Sequence, residues 1–263
     1  ASEEPAPTLQ VLEPGLSTTV QALGRPGWMR VGVPQGGALD REAFRLATAL
    51  TGGGWRREDC FAGAGLAALE IRYLGPTLKA VSGAEIIGPW RSVSLSPGDV
   101  LRVGALKNSS TAILAVAGGL TGPLTLGSRA TFERGGFGGA DGHALRAGDT
   151  LRVGPSKDAS FGPELWLPPG LRPDDVRSGD VLRLRVVLGP QDHYFATETI
   201  ERFLSATWTA TRQADRMGVR LEGPRLDHLG SADLLSEGVP KGAVQAPANG
   251  QPIVLLADRG ATG

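Results

Sequence analysis

SPGDVLRVG (Ser96–Gly104) returns as RAGDTLRVG (Arg146–Gly154), and in shorter form as SGDVLRLR (Ser178–Arg185). Each copy opens on Gly-Asp, the glycine supplying a positive φ and the aspartate a side chain able to bond the local backbone. Alternation follows: Val100 and Arg102 against Leu101 and Val103, and Leu151 and Val153 against Arg152. A period of two means a strand with one buried and one wet face. The copies are too unevenly spaced for a solenoid, and they predict a pair of related β modules.

Other runs point the same way. LEIRYLG (Leu69–Gly75), TAILAVAGG (Thr111–Gly119), LRLRVVLGP (Leu182–Pro190) and PIVLLAD (Pro252–Asp258) read as strands, the last three as strands covered on both faces. Two short helices are expected. Ala38–Gly53 has Asp40 as its N-cap and a stripe of Ala43, Leu46, Ala47 and Leu50; Thr197–Ala206 has Thr197 as a capping residue and Glu198 in its first turn. The 39 glycines and 19 prolines, spread between short apolar segments, suit a mainly β fold. Ser156–Asp175 is rich in Pro and Gly and reads as a connection. The expected domains are therefore 1–158, a connecting segment 159–177, and 178–263.

The 27 basic residues balance 27 acidic ones, which argues against nucleic acid or an anionic membrane as the main partner. The single cysteine, Cys60, excludes an internal disulfide framework and fits a reducing compartment. No apolar run approaches the roughly 20 residues of a membrane span, and ASEEPAPT has no secretory character. A cytoplasmic location is expected, and the sequon at Asn108 then has no meaning. The chain has no P-loop, no H-E-x-x-H, no G-x-S-x-G and no Ala-Met-Lys-Met carrier segment. His143, His193 and His228 show no zinc spacing, so no metal site is expected.

The positive signals are polar residues among glycines. TTVQALGRPGWMRVGVPQGGALD (Thr18–Asp40) holds Gln21, Arg25, Arg30 and Asp40, and GSRATFERGGFGG (Gly127–Gly139) holds Arg129 and Arg134. LGPQDHYF (Leu188–Phe195), QADRMGVRLEGP (Gln213–Pro224) and GQPIVLLADRGATG (Gly250–Gly263) repeat the theme. Arginine holds a carboxylate or phosphate through two parallel hydrogen bonds, and glycine lets backbone N–H groups approach an anion. The residues alone give a polar, anion-compatible site on a β scaffold, with loop-tying Arg–Asp pairs as the open alternative.

At these stretches, with LAVAGGL, ALRAGDTLRVG and AVQAPANGQPIVLLADRGATG, the chain resembles the C-type component of 5-oxoprolinase, a family also known as allophanate hydrolase subunit 2, Kip antagonist or biotin-dependent carboxyltransferase-like protein. The resemblance runs from about Leu12 to the last residue. It implies two cyclophilin-like β-barrel domains and a hetero-oligomer with two partners, a B-type component (the Kip inhibitor-like protein) and an A-type component. Together these would open 5-oxo-L-proline to L-glutamate with hydrolysis of ATP, supplied with magnesium. A lactam resists hydrolysis because amide resonance weakens its carbonyl as an electrophile; phosphorylating the oxygen would remove that resonance.

Carried onto this sequence, the resemblance implies catalytic roles for Asp215, Arg216, Asp258 and Arg259. It implies substrate contacts for Gln21, Arg25, Asp40, Arg129, Gly135, Gly136, Gly138, Gly139, Gln191, Asp192, Arg220, Gln245 and Gln251. The chain departs from the family at Gln35, where a serine is usual, and is short around Val81–Trp90. Family members also continue past the Ala-Asp-Arg stretch, which leaves the second barrel expected to lack its last strands. Two further readings stand beside the first. One is a regulator that sequesters the Kip inhibitor; the other is the carboxyltransferase part of a biotin-dependent urea carboxylase, for which biotin would ride on another protein.

Overall fold

A computed structural model of the chain describes residues 8–51, 66–82, 84–88, 90–107, 109–155, 165–168, 170, 172 and 181–261. Cys60, Asn108 and most of the connecting segment 159–177 lie outside the described residues. The chain divides into two units, Ala1–Pro26 with Gly36–Asp180, and Gly27–Gln35 with Val181–Gly263. Gly27–Gln35, which a reading along the chain keeps with the N-terminal half, groups with the second unit.

The first unit is built on two antiparallel sheets. Its strands are β1 (Thr8–Glu13), β2 (Ser17–Gln21), β3 (Ala68–Arg72), β4 (Thr77–Ala80), β5 (Ala84–Gly88), β6 (Arg91–Leu95), β7 (Val100–Arg102), β8 (Thr111–Val116) and β9 (Thr150–Arg152). One sheet runs β7-β4-β1-β9 and the other β2-β3-β8-β5-β6. Alternate residues of both meet in one core, with Leu9, Val11, Leu78, Ala80 and Leu151 from the first and Val20, Leu69, Ile71, Ile86, Leu114 and Val116 from the second. Isolated bridges at Leu74–Ala105 and at Leu120 with Ala67 and Val153 tie the sheets together at their margins.

The two full Gly-Asp copies, both within the expected first domain, are the two outer strands of one sheet. Their turns match bond for bond. The amides of Ser96 and Arg146 donate to Asp99 and Asp149, each at 2.8 Å, and Gly98 and Gly148 both stand at φ 93°. Ala80 then exchanges backbone bonds with Gly98 and Asp99 as Val11 does with Gly148 and Asp149. A second repeat explains this: TLQVL (Thr8–Leu12) and TLKAV (Thr77–Val81) pair antiparallel, Leu9 facing Ala80 and Val11 facing Leu78. The sheet thus has a local two-fold symmetry about the β1–β4 pair.

The outer face of the second sheet is also covered. Ile113 and Ala115 of β8 pack with Ala68 under helix α1 (Arg41–Leu50), through Phe44 and Ala47. Asp40 caps this helix as expected, accepting from the Ala43 amide at 2.8 Å. Its buried stripe is Phe44, Ala47 and Thr48, one position around from the predicted one, because Phe44 carries the largest apolar surface toward the sheet.

The second unit holds helix α2 (Thr197–Ser205) and β10 (Thr209–Ala214), β11 (Gly218–Glu222), β12 (Val244–Gln245) and β13 (Ile253–Leu255), in sheet order β10-β11-β13-β12. Thr197 does not cap α2: the cap position is Ala196, without a side-chain bond. The strand expected over Leu182–Pro190 is not formed, since among the described residues no neighbour pairs with it in a ladder, and Val181 and Val187 stand 84% and 96% exposed. An apolar run becomes a strand only when a ladder satisfies its N–H and C=O groups.

Leu69→Ala, at a fully buried site in the first unit's core, should cost about 3 kcal/mol in urea unfolding. Gly118 stands at φ 83°, with a Cβ that would sit 2.0 Å from the Gly154 carbonyl oxygen. Gly118→Ala should therefore cost roughly 2–4 kcal/mol, and a neutral result would refute this close crossing.

Candidate functional site

The expected site residues fall into two groups, one in each unit. In the first unit, β2 alternates between faces: Thr18 and Val20 enter the inter-sheet core, while Thr19 and Gln21 turn to the face under α1 and its preceding turn. Gln21 is fully buried, and its Nε2 donates to Thr19 Oγ1 at 3.0 Å and to the Thr131 carbonyl at 3.3 Å. Arg25, 1% exposed, donates through Nη2 to the Ala130 carbonyl and lies 4.9 Å from the centre of the Phe137 ring. Both residues therefore bind the same loop, Ala130–Gly139, which the sequence places over a hundred residues away.

That loop is fixed from within. Phe132 and Phe137 bridge and meet edge to face at 5.4 Å. A side chain on Gly138 would strike the Ala130 carbonyl at 2.2 Å, and one on Gly139 the Thr131 hydroxyl at 1.9 Å. These two glycines are required by the loop's own packing. Gly136, at φ 64° with nothing within 4 Å of an ideal Cβ, needs glycine for its backbone alone. Gly135 would meet the Phe132 ring at 2.5 Å. Glu133, Arg134, Gly135 and Gly136 form the exposed tip. Arg129 turns back along the chain, its Nε bonding the Gly122 carbonyl at 3.1 Å.

The turn Gly36–Asp40 closes the other side. Ala38 donates to the Ala22 carbonyl at 2.9 Å, and Arg41 Nη2 to that of Leu23 at 3.1 Å. Burial, and after it the charge of Arg45, lowers the pKa of Arg41. The Leu39 amide donates to Glu70 Oε2 at 2.6 Å. Glu70, 1% exposed in the middle of β3, is absent from the residues that the loop motifs single out. The sequence hides it: in LEIRY it alternates with Leu69 and Ile71 and shares a strand face with Arg72, the pattern of a wet face.

In the second unit, Arg216 and Asp258 form a buried bidentate pair, Nε–Oδ2 at 2.7 Å and Nη2–Oδ1 at 3.2 Å. The Asp258 amide also donates to the Arg216 carbonyl at 2.8 Å. Arg259, 4% exposed, donates to the carbonyls of Val239 (2.6 Å) and Leu256 (3.2 Å), with Met29 Sδ 3.7 Å away. Asp215 receives the amides of Met217 and Gly218 in the β10–β11 turn, and Gln251 exchanges bonds with the backbone of Gly223. Arg220 is exposed on β11.

Gln191, Asp192 and Gln245 line a cavity of about 750 Å³ together with His228, Asp233 and Glu237. Its walls include the unpaired apolar run Arg185–Leu188 and the loop Val239–Pro240, which Arg259 holds from behind. Gln191 Nε2 donates to Glu237 Oε1 at 2.7 Å, and His228 stacks on Phe195 at 4.6 Å. Among the described residues no group of three or more His, Cys, Asp and Glu could hold a metal ion, and no helix is long and apolar enough to cross a membrane.

Known proteins share this architecture. The chain is 33% identical to the C component of Escherichia coli 5-oxoprolinase over 97% of its own length and 81% of that protein's. It is 33% identical to urea amidolyase of Lachancea kluyveri over 82% of its length, but spans only 13% of that enzyme. The crystal structure of Kluyveromyces lactis urea amidolyase covers the whole chain at a TM-score of 0.81 and 27% identity, the match taking up 17% of that chain. A family model described as carboxyltransferase domain, subdomain A and B matches residues 31–263. This mainly β chain, with its antiparallel sheets and its Gly-flanked polar loops, belongs to the carboxyltransferase subdomain A and B family, as a relative of the C component of 5-oxoprolinase.

Proposed function

We propose that the chain is the C-type component of an ATP-dependent 5-oxoprolinase, acting with B-type and A-type partners to open 5-oxo-L-proline to L-glutamate. The observation that carries this reading is coverage of this chain: at 33% identity the Escherichia coli 5-oxoprolinase component matches 97% of it, and the urea amidolyase of Lachancea kluyveri 82%. The sequence has no P-loop, and among the described residues no group of three or more His, Cys, Asp and Glu could hold a metal ion. On this reading activation of the lactam belongs to the assembly, and the part assigned to this chain is binding and orientation.

Charge decides which group takes the substrate. The cavity of the second unit is lined by Asp192, Asp233 and Glu237 against Arg185 alone, which repels the carboxylate of 5-oxoproline. The tip Glu133–Gly136 carries the Arg134 guanidinium on a rigid loop, which suits a carboxylate, with Glu133 beside it and the Gly135 and Gly136 amides bonded to the Phe132 and Glu133 carbonyls. Arg216 and Asp258 satisfy each other, so their role on this reading is to hold the second unit together rather than to meet substrate.

The urea enzymes support a second reading, in which the chain is the carboxyltransferase part of a biotin-dependent urea carboxylase. The two separate in one experiment. The chain mixed with its B-type and A-type partners should hydrolyse ATP only when 5-oxoproline is present and should release glutamate. Turnover of urea with a biotin-carrying partner, and none of 5-oxoproline, would reverse the assignment.

In the 5-oxoprolinase assay, Arg134→Ala should raise KM for 5-oxoproline about tenfold with kcat little changed, while Asp192→Asn leaves both near wild type. Asp258→Ala should destabilise the second unit by about 3–5 kcal/mol, because it strands a buried guanidinium. Adding Arg216→Met should recover much of that loss. A single variant that loses activity without losing stability would instead place Asp258 at the substrate.

A further inference from the structure

We infer that Glu70 is a positioning residue: it clamps the Gly36–Asp40 turn onto the end of β2, setting the wall against which Gln21 and Arg25 stand. The inference rests on the first-unit cluster being the ligand site. Glu70 lies on β3 between Thr19 of β2 and Ile113 of β8, on the face shared with Ala68, Ile113 and Ala115 beneath Phe44 and Ala47. Around Ala68, Ile113 and Ala115 that face is apolar, with Thr19 of β2 beside Glu70, and taking a carboxylate out of water there is costly. An alanine or valine would pack the strand as well, so packing gives no reason for a charge.

The carboxylate's bond to the turn supplies one. Its Oε2 receives the Leu39 amide at 2.6 Å, in the short range of charge-assisted bonds. The flanking residues are committed elsewhere. Ala38 donates to Ala22, and Gly37 lies so close to the segment just after β2 that an ideal Cβ would be 2.6 Å from the Gly24 amide nitrogen. On the other side Asp40 caps α1. Glu70 thus ties β3 to the turn, and the turn is tied to Ala22–Gly24, directly between Gln21 and Arg25. Without the carboxylate the Leu39 amide loses this acceptor, and the turn keeps its bonds to Ala22 and Leu23 but loses this tie to β3. The protein–ligand geometry would change through the turn, not through any contact of Glu70 with the ligand.

Two variants of the full chain test this, Glu70→Leu and Glu70→Gln. Amide hydrogen exchange of the peptide spanning 36–41 reads the turn, and peptides spanning 111–117 and 209–222 report the fold of each unit. Glu70→Leu should speed exchange at 36–41 about tenfold or more with both reference peptides unchanged; Glu70→Gln, which keeps an acceptor, should fall between it and wild type. In the assembled enzyme KM for 5-oxoproline should follow the same order while kcat holds. If the 111–117 peptide of Glu70→Leu also loses protection, Glu70→Gln decides alone: exchange faster at 36–41 than at 111–117 supports the clamp. Unchanged exchange at 36–41 would overturn it, as would a collapse of kcat in both variants with the turn intact, since that places Glu70 among the reacting groups. The exchange arm involves no substrate, so it stands whichever reaction the assembly performs.

Discussion

A sheet covered on both faces has no wet side, and this constraint organises the first unit. Strand β8 sends Leu114 and Val116 into the core between the sheets and Ile113 and Ala115 under α1. Polar groups on the neighbouring strands are then paired mostly inside the protein, because the cost of leaving one unpaired is comparable to a lost hydrogen bond. Thr19, Gln21 and Glu70 lie on the face that α1 covers; Gln21 bonds Thr19 on its own strand, and Gln21 and Glu70 bond Thr131 and Leu39 of the segments that close over them. The polar cluster is thus a consequence of burying the sheet twice. The same burial makes it rigid, which is what a binding surface on glycine loops needs.

The second unit reaches rigidity differently. Its sheet is small, and its charged residues carry the connections: Arg216 to Asp258, and Arg259 to the Val239 and Leu256 carbonyls. Guanidinium suits this work because its planar fork satisfies several acceptors at once. The cavity beside these anchors has an apolar wall and an acidic rim. Two units of one chain thus present surfaces of different character, one built on glycine backbone and arginine, the other on apolar side chains and carboxylates.

The relatives show the same domain in different settings, nearly a whole protein in one case and less than a fifth of a large enzyme in another. A fold that travels in this way carries its stability with it, and the chemistry resides in particular side chains. Here the stability elements are the Gly-Asp turns, the two-fold pairing of β1 with β4, and the doubly covered β8. The elements free to specify a ligand are the loop tips that those strands hold up.

The mainly β character, the Gly-Asp turns, the position of α1 with its Asp40 cap, and most of the polar residues on the loops are legible along the chain. These are local properties: turn chemistry, capping and alternation act within a few residues. Long-range contacts settled everything else. The two Gly-Asp copies became edges of one sheet, because strand pairing depends on partners far along the chain. Leu182–Pro190 formed no strand despite its apolar pattern, for want of a ladder. Arg216 and Asp258 turned to each other, Gly138 and Gly139 answered to packing, and Glu70 emerged as a buried charge. Each of these outcomes depends on which backbone or side chain arrives opposite a residue, and periodicity names a face without naming what will lie against it.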